Sequence, residues 1–146
     1  MNIPKDVISW LPHGSSIRMV SSVLEHTLGH LITSKEWTLD DPIAADHFRD
    51  GPKVVPGLMI AEQAAQSALL LAMLDGLAKQ KELFFLANVR CEFIAPALVP
   101  CSTIIETALT ATIRGCIGFQ SQCMVGDQVV ARIKGIAAPP SNSKDF

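Results

Sequence analysis

A histidine, a proline–glycine step and a carboxylate follow one another in the first half of the chain: His47, then Pro56-Gly57, then Glu62 with Gln66 after it. Glu62 and Gln66 stand at i and i+4, so on a helix they share a face. Their neighbours are mostly Ala, Leu, Ile and Met, and a carboxylate in such surroundings reaches solvent, pairs, or takes up a proton. Gln66 is placed to hydrogen-bond Glu62 and fix its direction. A helix opening at Pro56-Gly57 also offers N–H groups that can receive a developing negative oxygen. A base, an acid and an oxyanion donor together suit proton abstraction beside a thioester carbonyl and loss of a β-hydroxyl. Read singly, each has a plainer meaning: His47 as a packing or loop histidine, Glu62 as an ion pair or pocket cap, Pro56-Gly57 as a helix start.

Other reactive side chains make weaker cases. His13, His26 and His30 read as surface residues, and the spacing of the last two would suit a metal only on a helix. Cys91, Cys101, Cys116 and Cys123 have no zinc spacing and read as reduced core or strand residues rather than nucleophiles.

The elements that must position these groups are legible. With 146 residues, nearly half apolar and 18% charged, the chain has the size and composition of one globular domain. A net charge of −2 argues against a dedicated nucleic-acid binder. Met1-Asn2-Ile3-Pro4-Lys5 lacks the apolar run of a secretory signal, which points to the cytoplasm. The stretch Gly57–Leu74 is long and apolar enough to suggest a membrane span, but Glu62, Gln63 and Gln66 lie inside it. Charge in hydrocarbon is costly, so an enclosed helix without membrane insertion is the better reading.

Strands are predicted over residues 17–25 and 30–37, joined by a hairpin at His26-Thr27-Leu28-Gly29. A loop rich in turn formers follows over 40–52, then a helix from Pro56-Gly57 to position 77. Further strands cover 84–93, 103–113 and 128–137, and between the last two Ile117, Phe119, Ser121, Cys123 and Val125 share one face by alternation. A helix apolar on nearly all sides must be enclosed. The class is therefore α+β, an antiparallel sheet curved around one long helix whose leftover apolar surface meets a second subunit, although periodicity alone leaves other α+β arrangements open. Residues 1–138 form one domain and 139–146 a flexible tail.

Several segments resemble a known family. Leu11-Pro12-His13, Met19-Val20 and Val23-Leu24-Glu25 resemble the opening of FabZ-type (3R)-hydroxyacyl-acyl-carrier-protein dehydratases. Asp46-His47-Phe48, Val55-Pro56-Gly57-Leu58 and Glu62-Gln63-Ala64-Ala65-Gln66 resemble their central motif: a histidine, a Pro-Gly turn and an E-x-x-x-Q helix, in that order. Phe84-Phe85-Leu86-Ala87, Phe93, Pro96 and Val99-Pro100 are similar to the segment that follows, so the likeness spans residues 11–138.

The resemblance implies a hotdog fold in a homodimer with two sites at its interface, often joined further into a trimer of dimers. It implies dehydration of a (3R)-hydroxyacyl thioester, held on acyl carrier protein by phosphopantetheine, to the trans-2-enoyl thioester. The setting would be fatty acid or related polyketide or secondary-metabolite synthesis, with no cofactor and no metal. His47 would take the C2 proton, Glu62 would protonate the departing hydroxyl, and the Gly57 amide would polarise the carbonyl. Phe48, Pro56, Leu58 and Gln66 would contact substrate. His47 and Glu62 of one site would come from different subunits. Arg18, Arg49, Lys53 and Arg90 could form a basic rim for the phosphopantetheine arm or an acidic carrier, against a default of solvated surface.

Three features depart from the family pattern. The interval from His47 to Pro56 is one residue longer than usual, with Arg49-Asp50-Gly51-Pro52 in place of a compact Pro-Gly turn, and the connection from Pro96 to Pro100 is likewise one residue longer, with Cys101 where glycine is common. The chain has no tyrosine to gate an acyl tunnel. These features suit a specialised pathway enzyme or a subunit without activity. Two alternatives therefore stand: a non-catalytic hotdog partner that binds an acyl chain or carrier, and an acyl thioesterase. The presence of both His47 and Glu62 counts against the first, and the second leaves His47 without a task.

Overall fold

The computed structural model describes residues 2–140. A short 3-10 helix (Val7–Trp10) precedes strands β1 (Ser22–Thr27) and β2 (His30–Trp37), then helices α1 (Pro42–His47) and α2 (Gly57–Leu74). Strands β3 (Phe85–Phe93), β4 (Cys101–Ile113), β5 (Cys116–Val125) and β6 (Gln128–Ala138) complete the described chain. The six strands form one antiparallel sheet in the order β1-β2-β4-β5-β6-β3. Between β4 and β5, Arg114 and Gly115 both take positive φ, 53° and 79°, the backbone of a two-residue hairpin turn that follows the strands' own twist.

Alternation places the core. On β5, Ile117, Phe119, Ser121 and Cys123 are buried while Gln120 faces water, as a strand with one covered face requires. Helix α2 covers that face and touches β2 through β6. From Ile60 to Met73 every residue of α2 except Glu62 and Ala65 is buried. The helix is long and apolar enough to cross a membrane, yet 67% of it is buried inside this fold. Its first half packs Ile60, Ala64 and Ala68 with Trp37, Ile105 and Phe119. Its second half packs Leu69 to Leu71 with Val7, Leu11, Val20 and Leu31, so the 3-10 helix closes that end of the core. One helix wrapped by an antiparallel sheet is the hotdog arrangement that the resemblance implies.

Apolar contact alone would let such a helix roll about its axis. Buried polar groups choose the angle. Gln63 donates from Nε2 to the Thr103 carbonyl at 3.0 Å and accepts at Oε1 from the Thr103 hydroxyl at 2.6 Å. That hydroxyl accepts in turn from Trp37 Nε1 at 3.0 Å. One turn on, Ser67 and Thr33 hydroxyls lie 2.8 Å apart, and Ser67 also donates to the Gln63 carbonyl. These bonds tie α2 to β2 and β4 and satisfy groups whose burial would otherwise cost stability.

The structure changes several predicted boundaries. Residues 40–52, predicted as loop, contain α1: Asp41 accepts at Oδ1 from the Ile43 N–H at 3.0 Å, and Pro42 takes the first helical position, where no N–H is needed. Helix α2 stops at Leu74 rather than 77, because Gly76 turns the chain away at φ +77°. Strand β1 begins at Ser22 rather than 17, since Ile17 and Met19 bond the Gln66 side chain instead. The sequence reading had no counterpart for the 3-10 helix. Strand β6 ends at Ala138, and the expected tail lies outside the described residues from 141 onward.

The clamp can be tested by replacing Thr103 with the isosteric Val. Gln63 Oε1 and Trp37 Nε1 would each lose a buried partner, which should lower the unfolding free energy in urea by at least about 2 kcal/mol. A change under about 0.5 kcal/mol would show that the clamp contributes nothing to stability.

Candidate active site

The start of α2 is anchored from below. Val54 bridges Leu98, with Val55 N–H donating to the Ala97 carbonyl at 2.9 Å and Val99 N–H to the Lys53 carbonyl at 3.0 Å. The two connections read from the resemblance as one residue longer than usual thus pair with each other. Pro56 is the N-cap residue and Gly57 the first of the helix, so the Gly57 N–H has no carbonyl partner within the helix. A Cβ at Gly57 would lie 2.8 Å from the Phe93 ring, so any side chain there would require that half-exposed ring to move. An open apolar groove of about 460 Å³ runs here, lined by Gly57, Leu58, Phe93, Ile94 and Ala97. Leu58 is 73% exposed.

Glu62 lies on the second turn and is half-buried, and its Oε1 accepts from Gln66 Nε2 at 2.9 Å. The i, i+4 pairing read from the sequence is formed. Gln66 is buried and fully used: its Nε2 also donates to the Ile17 carbonyl at 2.8 Å, and its Oε1 accepts from the Met19 N–H at 2.8 Å. A backbone N–H facing Oε1 leaves the amide only one orientation. Gln66 thus fixes the Glu62 carboxyl and staples the N-terminal segment to the helix.

That segment brings a residue the sequence reading placed on the surface. His13 Nε2 lies 3.6 Å from Glu62 Oε1, and His13 is half-buried. Its carbonyl accepts from Arg18 Nη2 at 3.0 Å, which closes the 13–18 loop. His13 Nδ1 is buried without a hydrogen-bond partner among the described residues. Burial pulls its proton affinity below that of an ordinary imidazole, Glu62 opposes this, and Arg18 reinforces it. No spacing rule links positions 13 and 62, and the only available signal was the likeness of Leu11-Pro12-His13 to the family's opening.

His47 is the last residue of α1, exposed, with its ring centroid 4.3 Å from that of Phe48. Within one chain, the polar partners of Glu62 among the described residues are Gln66 and His13, not His47. Lys53 belongs to the scaffold: its Nζ donates to the carbonyls of Ala45, Phe48 and Arg49 at 2.7, 3.0 and 3.2 Å, closing the end of α1 beside His47. Arg18 is likewise engaged, while Arg49 and Arg90 are exposed as a solvated rim would be. His26 is no simple surface residue, since Asp75 at the end of α2 accepts from its Nε2 and from the Gly29 N–H, both at 2.8 Å. His30 pairs with exposed Glu106 across the sheet surface. The cysteines are all free thiols, and burial pushes the Cys123 thiol up to about 12, far from a nucleophile's range.

The depressed proton affinity of His13 links stability to pH. Unfolded, it binds a proton near its ordinary 6.5; folded, it does so only at lower pH. Its contribution is therefore complete above 6.5 and lost as pH falls through the folded value. Between about pH 8 and about pH 5, Tm should fall more steeply for wild type than for His13→Gln. Parallel slopes would contradict this linkage.

No family model matches the chain. Among solved structures, the dehydratase heterocomplex ApeI:P from Xenorhabdus doucetiae superposes with a TM-score of 0.79 at 14% identity, covering 98% of this chain and 95% of that one. That likeness shows the fold. Sequence relatives show more. The 3-hydroxyacyl-[acyl-carrier-protein] dehydratase FabZ of Histophilus somni (strain 2336) is 28% identical over 136 residues, covering 92% of this chain and 89% of the relative. The FabZ of Anaplasma marginale (strain Florida) is 30% identical over 139 residues, covering 91% of this chain and 93% of the relative. At 30% identity with near-complete coverage on both sides, the chain belongs to the FabZ family of 3-hydroxyacyl-[acyl-carrier-protein] dehydratases.

Proposed function

We propose that the chain removes water from (3R)-hydroxyacyl thioesters carried on acyl carrier protein, giving trans-2-enoyl thioesters, in the synthesis of fatty acids or related chains. The observation that carries this reading is the Glu62–Gln66 pair, held at 2.9 Å in an otherwise apolar helix whose first turn opens on the groove beside Gly57. The thioester carbonyl accepts from the Gly57 N–H, which favours the enolate-like charge that develops on C2 deprotonation. His47 takes the C2 proton. The electrons of that C–H bond form the C2–C3 double bond, the C3–O bond breaks, and Glu62 delivers a proton so that the oxygen leaves as water. Proton exchange with solvent then resets both side chains. Phe48 and Leu58 offer exposed apolar surface to the acyl chain and Pro56 shapes the helix start, while Gln66 keeps the carboxyl aimed.

The reading pairs His47 of one subunit with Glu62 of another. Strand β3 supports a homodimer: it is an edge strand on which Phe85, Leu86, Val89 and Phe93 are each at least 40% exposed. Such an edge is a pairing surface unless covered, and a second copy of β3 would cover it. Free thiols at all four cysteines suit the reducing cytoplasm.

Both roles are open to test in the reverse direction, hydration of a crotonyl or longer enoyl thioester followed by loss of enoyl absorbance. His47→Ala and Glu62→Gln should each lower the rate by at least about a hundredfold. Refolding the two variants together should give about half mixed dimers, each with one intact and one doubly damaged site, and so about a quarter of wild-type activity. Mixed dimers confirmed by mass but without activity would place both residues in one chain's site. Wild-type rates in both variants would remove the assignment altogether.

A further inference from the structure

Glu62 has a second neighbour that the reaction as written leaves unused. Gln66 and His13 both address Oε1, at 2.9 and 3.6 Å. Among the described residues Oε2 has no such partner, and it is the oxygen left to meet substrate. The two contacts are linked, because Gln66 also holds Ile17 and Met19, and Arg18 ties its side of that loop back to the His13 carbonyl. One glutamine therefore aims the carboxyl and seats the loop that carries the imidazole.

We infer that His13 is a positioning residue for Glu62: together with Gln66 it holds Oε1, so that the proton-carrying oxygen Oε2 keeps one direction toward the leaving hydroxyl. This rests on the reading of Glu62 as the proton donor. At 3.6 Å the contact is longer than a hydrogen bond, and contacts of this kind tighten when substrate fills a site. An accepting Oε1 favours the tautomer with hydrogen on Nε2, leaving Nδ1 as the bare nitrogen, and Nδ1 is the atom found buried without a partner. The charged groups around His13 are Glu62 on α2 and Arg18 in its own loop, with Lys81 reaching the neighbouring Leu11 carbonyl at 3.4 Å. Burial and Arg18 keep the imidazole neutral. A full cation beside Glu62 would favour the carboxylate and withhold the proton that the departing hydroxyl needs. A neutral N–H orients the carboxyl without that penalty.

The test compares His13→Ala, His13→Gln and Glu62→Gln as full-length proteins, by steady-state hydration of a crotonyl thioester and by thermal melting. His13→Ala should lose about tenfold to a hundredfold in kcat, as a misaimed catalytic group does, with KM changed by less than about threefold. His13→Gln, which restores a neutral N–H donor, should recover most of the kcat. If Glu62→Gln is inactive while His13→Ala keeps wild-type kcat, His13 does not position Glu62 and only this inference is overturned. A loss carried by KM overturns it too, as does a loss that tracks a lowered Tm and is not rescued by Gln, since either marks a merely structural loop contact. An active Glu62→Gln protein overturns the underlying reading, and the inference with it.

Discussion

The site depends on the roll of α2, and the roll is set by buried polar contacts, first the exchange of two hydrogen bonds between Gln63 and Thr103, with the Ser67–Thr33 pair one turn on. A helix buried on nearly every side has little apolar reason to prefer one rotation over another. A buried amide has a strong reason, because only one rotation meets both the carbonyl and the hydroxyl of Thr103. Each residue advances about 100° around the helix, so fixing Gln63 also fixes the direction of Glu62 beside it. Gln66, on the same face as Glu62, then reaches the backbone of Ile17 and Met19. The helix thus carries two i, i+4 pairs with separate duties. Gln63 and Ser67 hold the sheet, while Glu62 and Gln66 face the N-terminal loop.

The same helix supplies the other pole of the site. Its first turn is held by the pairing of residues 53–55 with 97–99, and its amide end opens under the Phe93 ring, which a side chain at Gly57 would displace. The donor proposed for the carbonyl oxygen, Gly57, and the proposed acid, Glu62, therefore sit on one helix, which suits a reaction needing both at a fixed separation. The proposed base, His47, is carried differently, on a short helix whose end Lys53 caps. His47 is exposed at that end, as the proposed service to a neighbouring subunit requires.

Much of this was legible in the sequence. The alternation from Ile117 to Cys123 and the long apolar run after Gly57 specify a sheet and an enclosed helix, because burial imposes those periods directly. The Glu62–Gln66 pair was legible for the same reason, being local to one helix. What escaped was either ambiguous or non-local. Asp41-Pro42 serves equally as a turn and as an N-cap with its first helical residue, so the sequence alone does not separate α1 from a loop. Gln63 looked like an interruption of an apolar run rather than its anchor, since Thr103 is its partner only in three dimensions. His13 reaches Glu62 only because Gln66 holds the intervening loop, and no spacing encodes that.

The proposed reaction is elimination of water, rather than cleavage of a thioester or the mere holding of an acyl chain. The most direct measurement is the intact mass of a (3R)-hydroxyacyl group on acyl carrier protein, followed over time with the purified full-length protein. Loss of one water from the loaded carrier, with the thioester intact and the loss abolished by Glu62→Gln, is the result expected. Release of the free carrier thiol would instead mean thioester hydrolysis, and a loaded carrier that stays unchanged would mean a binding subunit without this chemistry.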